Sequence, residues 1–150
     1  MISMSIKMQL EADLRTALRL GDEKRKSTLR MTLAAFKLAE IDKGAPLDES
    51  ETLAILHKEV KSRHESIADA ERAGRPELVA EAQAEIAILE AYLPRPFSPA
   101  QLEELARQVI AEVGANSARE MGLVMKALVP RLEGKATGSQ ASQVVRKLLG

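Results

Sequence analysis

Apolar residues recur at helical intervals along almost the whole chain, and glycines, prolines and capping residues divide that pattern into segments. Ile6, Leu10, Leu14 and Leu18 fall every fourth residue between Ser5 and Gly21, which predicts a first helix closed by a glycine C-cap. Asp22 caps a second helix, carried to Lys43 and Gly44 by Leu29, Met31, Leu33, Ala34, Ala35, Phe36, Leu38, Ala39 and Ile41. Apolar positions on most of its sides predict that this is the central, buried helix. Asp48 and Glu51 have capping-box spacing at the head of a third helix, in which Leu53, Leu56, Val60, Ile67 and Ala70 keep near-heptad register up to Gly74. Beyond the Gly74-Arg75-Pro76 turn, a fourth helix returns through Val79, Ala82, Ile86, Leu89 and Leu93. These two should form a long antiparallel hairpin on the first two.

Pro94, Pro96 and Pro99 then break the helical pattern and predict a stiff hinge, with domains at 1–95 and 96–150. Ser98, Pro99 and Gln101 supply N-cap, N1 proline and N3 glutamine for a fifth helix ending at Gly114, and Phe97 is placed to staple to Leu102. Ser117 and Glu120 would cap a sixth helix that Pro130 limits; Thr137 and Gln140 would cap a seventh. No strand alternation, repeat or low-complexity tract interrupts this. The expected fold is all-α: an N-terminal four-helix region with a long helical hairpin, a Pro-rich hinge, and a C-terminal three-helix tail.

Composition narrows the chemistry. With 150 residues there is room for one ordinary core or two small ones. No cysteine is present, which removes disulfides, thiolate metal sites and a cysteine nucleophile, and a cytoplasmic location is expected. The start, Met1-Ile-Ser-Met-Ser-Ile-Lys7, lacks the features of a signal peptide, and no window has the roughly 20 apolar residues of a membrane span. Phe36, Tyr92 and Phe97 are the only aromatics, so the cores must be aliphatic.

The chain is formally neutral, but its charge is unevenly placed. Between Gly114 and Gly150, six cations (Arg119, Lys126, Arg131, Lys135, Arg146, Lys147) face two carboxylates (Glu120, Glu133). The distal hairpin is the reverse, with seven carboxylates between Glu65 and Glu90 against Arg72 and Arg75. A polyanion would be drawn to the tail and repelled by the hairpin.

Within the tail, Arg119, Gly122 and Lys126 fall on one row, opposite Met121, Val124, Met125 and Leu128. A glycine inside a helix costs about 1 kcal/mol relative to alanine. Gly122 therefore marks either a place where phosphate or ribose approaches the backbone or a close helix contact. The turn Gly134-Lys135-Ala136-Thr137-Gly138 superficially echoes a phosphate loop, but Val129 and Ala136 stand where that motif needs glycine and Ser/Thr, and no strand precedes it. What remains is a basic turn opening a helix whose first N–H groups could face an anion, or an ordinary interhelical turn. In the last helix Ala141, Val144, Val145 and Leu148 point inward, leaving Gln143, Arg146 and Lys147 outside, where cations also complement the helix dipole. His57 and His64, seven apart, make no metal site without further ligands, and no carboxylate pair sits in an apolar setting. No catalytic residue, metal or cofactor is predicted.

Several segments together resemble the GatB/YqeY family, in its stand-alone YqeY-like form. They are Leu29-Arg-x-x-Leu-Ala-Ala-Phe-Lys-x-Ala-Glu-Ile-Asp-Lys43, Lys58-Glu-Val-Lys-x-Arg-x-Glu-Ser66, Tyr92-Leu-Pro94, Met121-Gly-x-Val-Met125 and Gly134-Lys-Ala-Thr-Gly138. The resemblance implies a four-helix region followed by a three-helix tail. It also implies tRNA as the ligand, because the similar tail of the amidotransferase B subunit engages tRNA while a larger portion performs glutamine-dependent amidation. This chain has no room for that portion. It departs from the family pattern at Thr137, where Asp is frequent, and at Leu38, where a polar residue is common.

The expected function is therefore a non-catalytic tRNA-binding or tRNA-handling accessory protein that reads structured RNA through its phosphates. Its expected RNA-facing residues are Arg119, Gly122, Lys126, Arg131, Gly134, Lys135, Gly138, Arg146 and Lys147. With no aromatic after Phe97, base stacking is not expected of the tail. The rival readings are a helical adaptor for an aminoacyl-tRNA synthetase or amidotransferase, and a family-inherited carbon-nitrogen ligase activity with glutamine as amido donor.

Overall fold

The structure, a computed structural model, describes residues 4–150; Met1, Ile2 and Ser3, part of the start read above, lie outside the described residues. Among those described there are seven α-helices, one 3-10 turn and no strand. The fold is all-α. By compactness the chain divides between Leu93 and Pro94 into two units.

The first unit holds α1 (Ile6–Leu20), α2 (Glu23–Lys43), α3 (Glu49–Arg72) and α4 (Pro76–Glu90). Their ends follow the local chemistry. Ser5, Asp22 and Asp48 accept from N3 backbone N–H groups, Glu51 closes the capping box, and Gly21 and Gly44 end α1 and α2 at φ 70° and 76°, where a Cβ would be strained. Leu10, Leu29, Phe36, Leu56, Val60, Ile86 and Leu89 form the core, and α3 and α4 pair as the expected antiparallel hairpin.

Two sequence expectations fail here for geometric reasons. A four-residue spacing advances about 40° per step around a helix of 3.6 residues per turn, so the row from Ile6 drifts off the core face. Leu18 consequently lies 46% exposed, while Ala17 takes the buried place. The second helix is not the central buried one. Only Thr28, Leu29, Thr32 and Phe36 of α2 are buried, whereas Met31, Leu38 and Ile41 are 57%, 62% and 67% exposed. Its many apolar residues make two stripes on opposite sides, and one packs inward.

Polar side chains tie this unit together. Arg63 is 6% exposed and continues the α3 stripe between Val60 and Ile67; its Nε donates to Glu85 on α4 at 2.8 Å and its Nη1 to Glu59 at 2.8 Å and to the Glu59 carbonyl at 3.0 Å. Lys7 bridges α1 to Glu40 of α2 at 2.9 Å, and the Tyr92 hydroxyl donates to Asp13. The buried Thr32 hydroxyl donates to the Thr28 carbonyl, so no buried polar side-chain atom among the described residues lacks a partner.

The second unit holds α5 (Pro99–Val113), the 3-10 turn Ala118–Glu120, α6 (Met121–Leu132) and α7 (Gly138–Leu149). Its core is aliphatic: Leu102, Ala106, Val109, Val124, Leu128, Leu132, Ala141 and Val145, with Phe97 packed against it as the expected staple. The capping boxes Ser98/Gln101 and Thr137/Gln140 both form. The one predicted at Ser117/Glu120 does not. Glu120 accepts from the Asn116 N–H instead, Ser117 caps nothing, and the chain makes a 3-10 turn before α6 begins. Nor does Pro130 end α6, which continues to Leu132 because Leu128 and Leu132, one turn apart, are both buried. The carbonyl that proline cannot bond falls on the solvent side, beside the exposed Lys126, so the kinking cost is reduced.

Candidate nucleic-acid interface

The tail cations divide by what they touch. Arg119 in the 3-10 turn, Lys126 on α6, and Arg146 and Lys147 on α7 are exposed and have no carboxylate partner. Arg131 is different: its guanidinium is bound to Glu112 of α5 and holds that carboxyl below the usual carboxylate range. It is a structural cation linking α5 to α6. Lys135 stands between the two classes, with Glu133 3.7 Å away and its ammonium 5.5 Å from the centre of the Phe97 ring.

The glycines are placed by equally local rules. Gly122 sits at the second position of α6 rather than in its interior, because the 3-10 turn displaces the helix start. A Cβ built there meets nothing within 4 Å, so no neighbouring helix requires glycine at this point. The close-packing alternative lacks support. Gly138 is the first residue of α7, also open around its Cβ, and not at a positive φ. Gly134 has φ 75° and follows Glu133 at φ 49°, the only non-glycine at positive φ among the described residues, so the chain reverses through two left-handed residues before the Lys135 N–H donates to the Leu132 carbonyl at 2.8 Å. That reversal brings Lys135 back beneath the start of α5, where its carbonyl accepts from the Phe97 N–H at 2.9 Å.

The result is a groove of about 330 Å³ within the tail unit, with Phe97, Leu102, Val144 and Leu148 along its floor. Lys135 and Lys147 flank it with the amides of Gln140 and Gln143. Of the predicted residues, then, Lys135 and Lys147 border one depression. Arg119 is exposed in the 3-10 turn ahead of α6, Gly122 and Lys126 are exposed on α6, Arg146 lies outside the groove lining, and Arg131 is engaged elsewhere. Phe97, Gln140 and Gln143 were absent from the prediction. Gln140, Gln143 and Lys147 do keep three- and four-residue spacing on α7, which is the signal that places them on one row.

Over residues 7–149 the sequence matches a family model described as Yqey-like protein. The chain belongs to the YqeY-like family. Curated relatives carry the name "Altered inheritance of mitochondria protein 41, mitochondrial". That of Eremothecium gossypii is 37% identical over 103 residues, covering 68% of this chain and 56% of the relative. That of Meyerozyma guilliermondii is 35% identical over 106 residues, covering 69% and 56%. The chain thus matches little more than half the length of these relatives. Both are named as mitochondrial proteins, which overturns the cytoplasmic location expected above: an absence of cysteine speaks to disulfides and does not distinguish one reducing compartment from another.

His57 is half-buried and His64 exposed, and no cluster of three or more His, Asp or Glu able to hold a metal occurs among the described residues. No helix there is long and apolar enough to cross a membrane.

Proposed function

We propose that this YqeY-like chain is a non-catalytic RNA-handling protein whose tail binds structured RNA, tRNA above all, by its phosphates. The observation that carries the reading is the set of four exposed cations of the three-helix tail, Arg119, Lys126, Arg146 and Lys147, that have no carboxylate partner, whereas Arg107 and Arg131 are matched by Glu103 and Glu112. A paired surface cation is already neutralised and gains little from a phosphate. An unpaired one gains the full contact and releases the counterions condensed on the RNA. The open backbone at Gly122 and the free N–H groups of Gly138 and Ser139 at the start of α7 support anion approach beside these cations. Lys135 and Lys147, flanking the Phe97 groove, add a place where a nucleotide could rest against an apolar floor.

Filter binding of total tRNA, including organellar tRNA in view of the relatives' names, tests this across a salt series. Engagement of about four phosphates gives a log-log slope of about −3 to −4, at ~0.7 to 0.9 per phosphate. The double variant K126E/K147E should bind at least about tenfold more weakly with a flatter slope, and Arg107→Glu, which alters a cation matched by Glu103 on α5, should change little. Equal affinity for tRNA in the wild type and the double variant would reject the tail as an RNA surface.

A further inference from the structure

The outward side of α2 presents a seam that the fold does not use. Met31, Ala34, Leu38 and Ile41 follow a three-four-three spacing, which is the a/d register of a helix-pairing heptad. All four are exposed. They lie opposite Thr28, Leu29, Thr32 and Phe36, by which the same helix enters the core. Isolated apolar residues on a surface are ordinary, but a row in register over three turns, with three large side chains more than half exposed, is a contiguous patch. One flank of the seam carries Arg30 and Lys37, seven residues apart at the position that faces a partner helix. Both are exposed and in no ion pair, whereas Lys26 and Lys43 on the same helix are matched by Glu23 and Glu51.

We infer that this seam docks an amphipathic helix of another protein, one with aliphatic residues in a/d register and carboxylates along the flank that meets Arg30 and Lys37. Charge complementarity selects that occupant. An antiparallel second copy would set the Arg30–Lys37 row against itself, and like charges across a helix pair disfavour that pairing. The seam is also short. Three large side chains fall well below the roughly 800 Å² per partner of a standard stable interface, which fits a transient contact with a short helix better than a standing dimer. An anionic membrane would reward the cations, but the seam is narrow and lacks the aromatic residues that anchor interfacial helices. This inference concerns the first unit and is independent of the RNA reading, which concerns the tail.

The test uses the full chain and two synthetic three-heptad helical peptides, identical at a and d (leucine) and carrying either glutamate or lysine at e and g. Fluorescence anisotropy should show binding of the glutamate peptide and at least about tenfold weaker binding of the lysine peptide. The Met31 methyl resonance should shift on binding. Leu38→Glu should abolish binding while leaving the melting temperature unchanged or raised, because Leu38 contributes little to the core, and R30E/K37E should reverse the peptide preference. Equal binding of both peptides, or perturbation away from Met31, would overturn the inference. So would a dimer in sedimentation that Leu38→Glu dissolves, or binding to phosphatidylserine vesicles that exceeds binding to the glutamate peptide. Loss of tRNA binding in Leu38→Glu would instead show that the seam belongs to the RNA surface, and would overturn it equally.

Discussion

The two units differ in how far charged and polar groups enter their packing. In the first, ionised and hydroxyl groups are built into the packing: Arg63 between Glu59 and Glu85, Lys7 on Glu40, Tyr92 on Asp13, Thr32 on its own helix. In the second the core is aliphatic and charge stays at the surface, where Arg95, Arg119, Lys126, Arg146 and Lys147 are exposed without ion-pair partners, as Arg30 and Lys37 are on the first. The difference separates charge that serves architecture from charge that is available to a ligand. Arg131 is the instructive exception, because it sits among the tail cations in sequence yet belongs with the architectural group, being bound to Glu112. Counting cations along a sequence overstates a binding surface by those already matched in space.

The contrast predicts different sensitivities. Deleting buried methylenes from the aliphatic tail should have the largest effect: Leu128→Ala should cost about 2 to 5 kcal/mol, since Leu128 is fully buried and leaves a cavity. In hydrogen exchange the loss of protection should be confined to α5, α6 and α7. Equal loss in α3 and α4 would mean that the two units share one cooperative core. The first unit should instead respond most to broken polar pairing. Arg63→Ala strands Glu59 and Glu85 beside each other and should cost about 3 kcal/mol, the low end of the range for a buried pair because both carboxylates are about a quarter exposed. Arg63→Met, which fills the same stripe with an apolar chain, should lie within about 1 kcal/mol of wild type. A methionine variant as damaged as the alanine one would show that the ion pairs themselves stabilise the hairpin.

Most helix boundaries were legible in the sequence because caps are local chemistry. Asp22, Asp48, Ser98 and Thr137 each need only a residue three positions on, and each cap forms. The failures arise where a longer-range contact decides. Glu120 could reach either Ser117 or Asn116, Pro130 is overridden by Leu132 entering the core, and α2, apolar on most of its sides, reads as the central buried helix until its neighbours are known to cover only one. Arg63 was legible in part, since it continues the α3 stripe with Glu59 four residues earlier, but Glu85 comes from the other arm of the hairpin. At the candidate interface the sequence identified the cations, while the pairing of Arg131 and the return of Lys135 onto Phe97 depend on the packing of α5 against the α6–α7 turn.

The smallest of these effects is also the one with a pH signature. Tyr92 lies just beyond α4, half-buried, and burial together with the Asp13 carboxylate beside it raises its pKa above the ordinary value of 10.0, with a nearby Arg25 opposing. The folded chain therefore keeps the hydroxyl protonated where the unfolded chain has begun to lose its proton. The contribution of this group is complete below the unfolded pKa of about 10 and is lost as pH climbs from there toward the raised folded value. Tyr92→Phe removes the hydroxyl, leaves Asp13 to water at its half-exposed position, and should cost about 1 kcal/mol at neutral pH. In melts taken between pH 8 and about 11, the wild type should lose part of its advantage over the variant as the solution becomes alkaline. A gap that stays constant across that interval would mean that Tyr92 supports the first unit through its ring alone and that the Asp13 contact contributes nothing measurable.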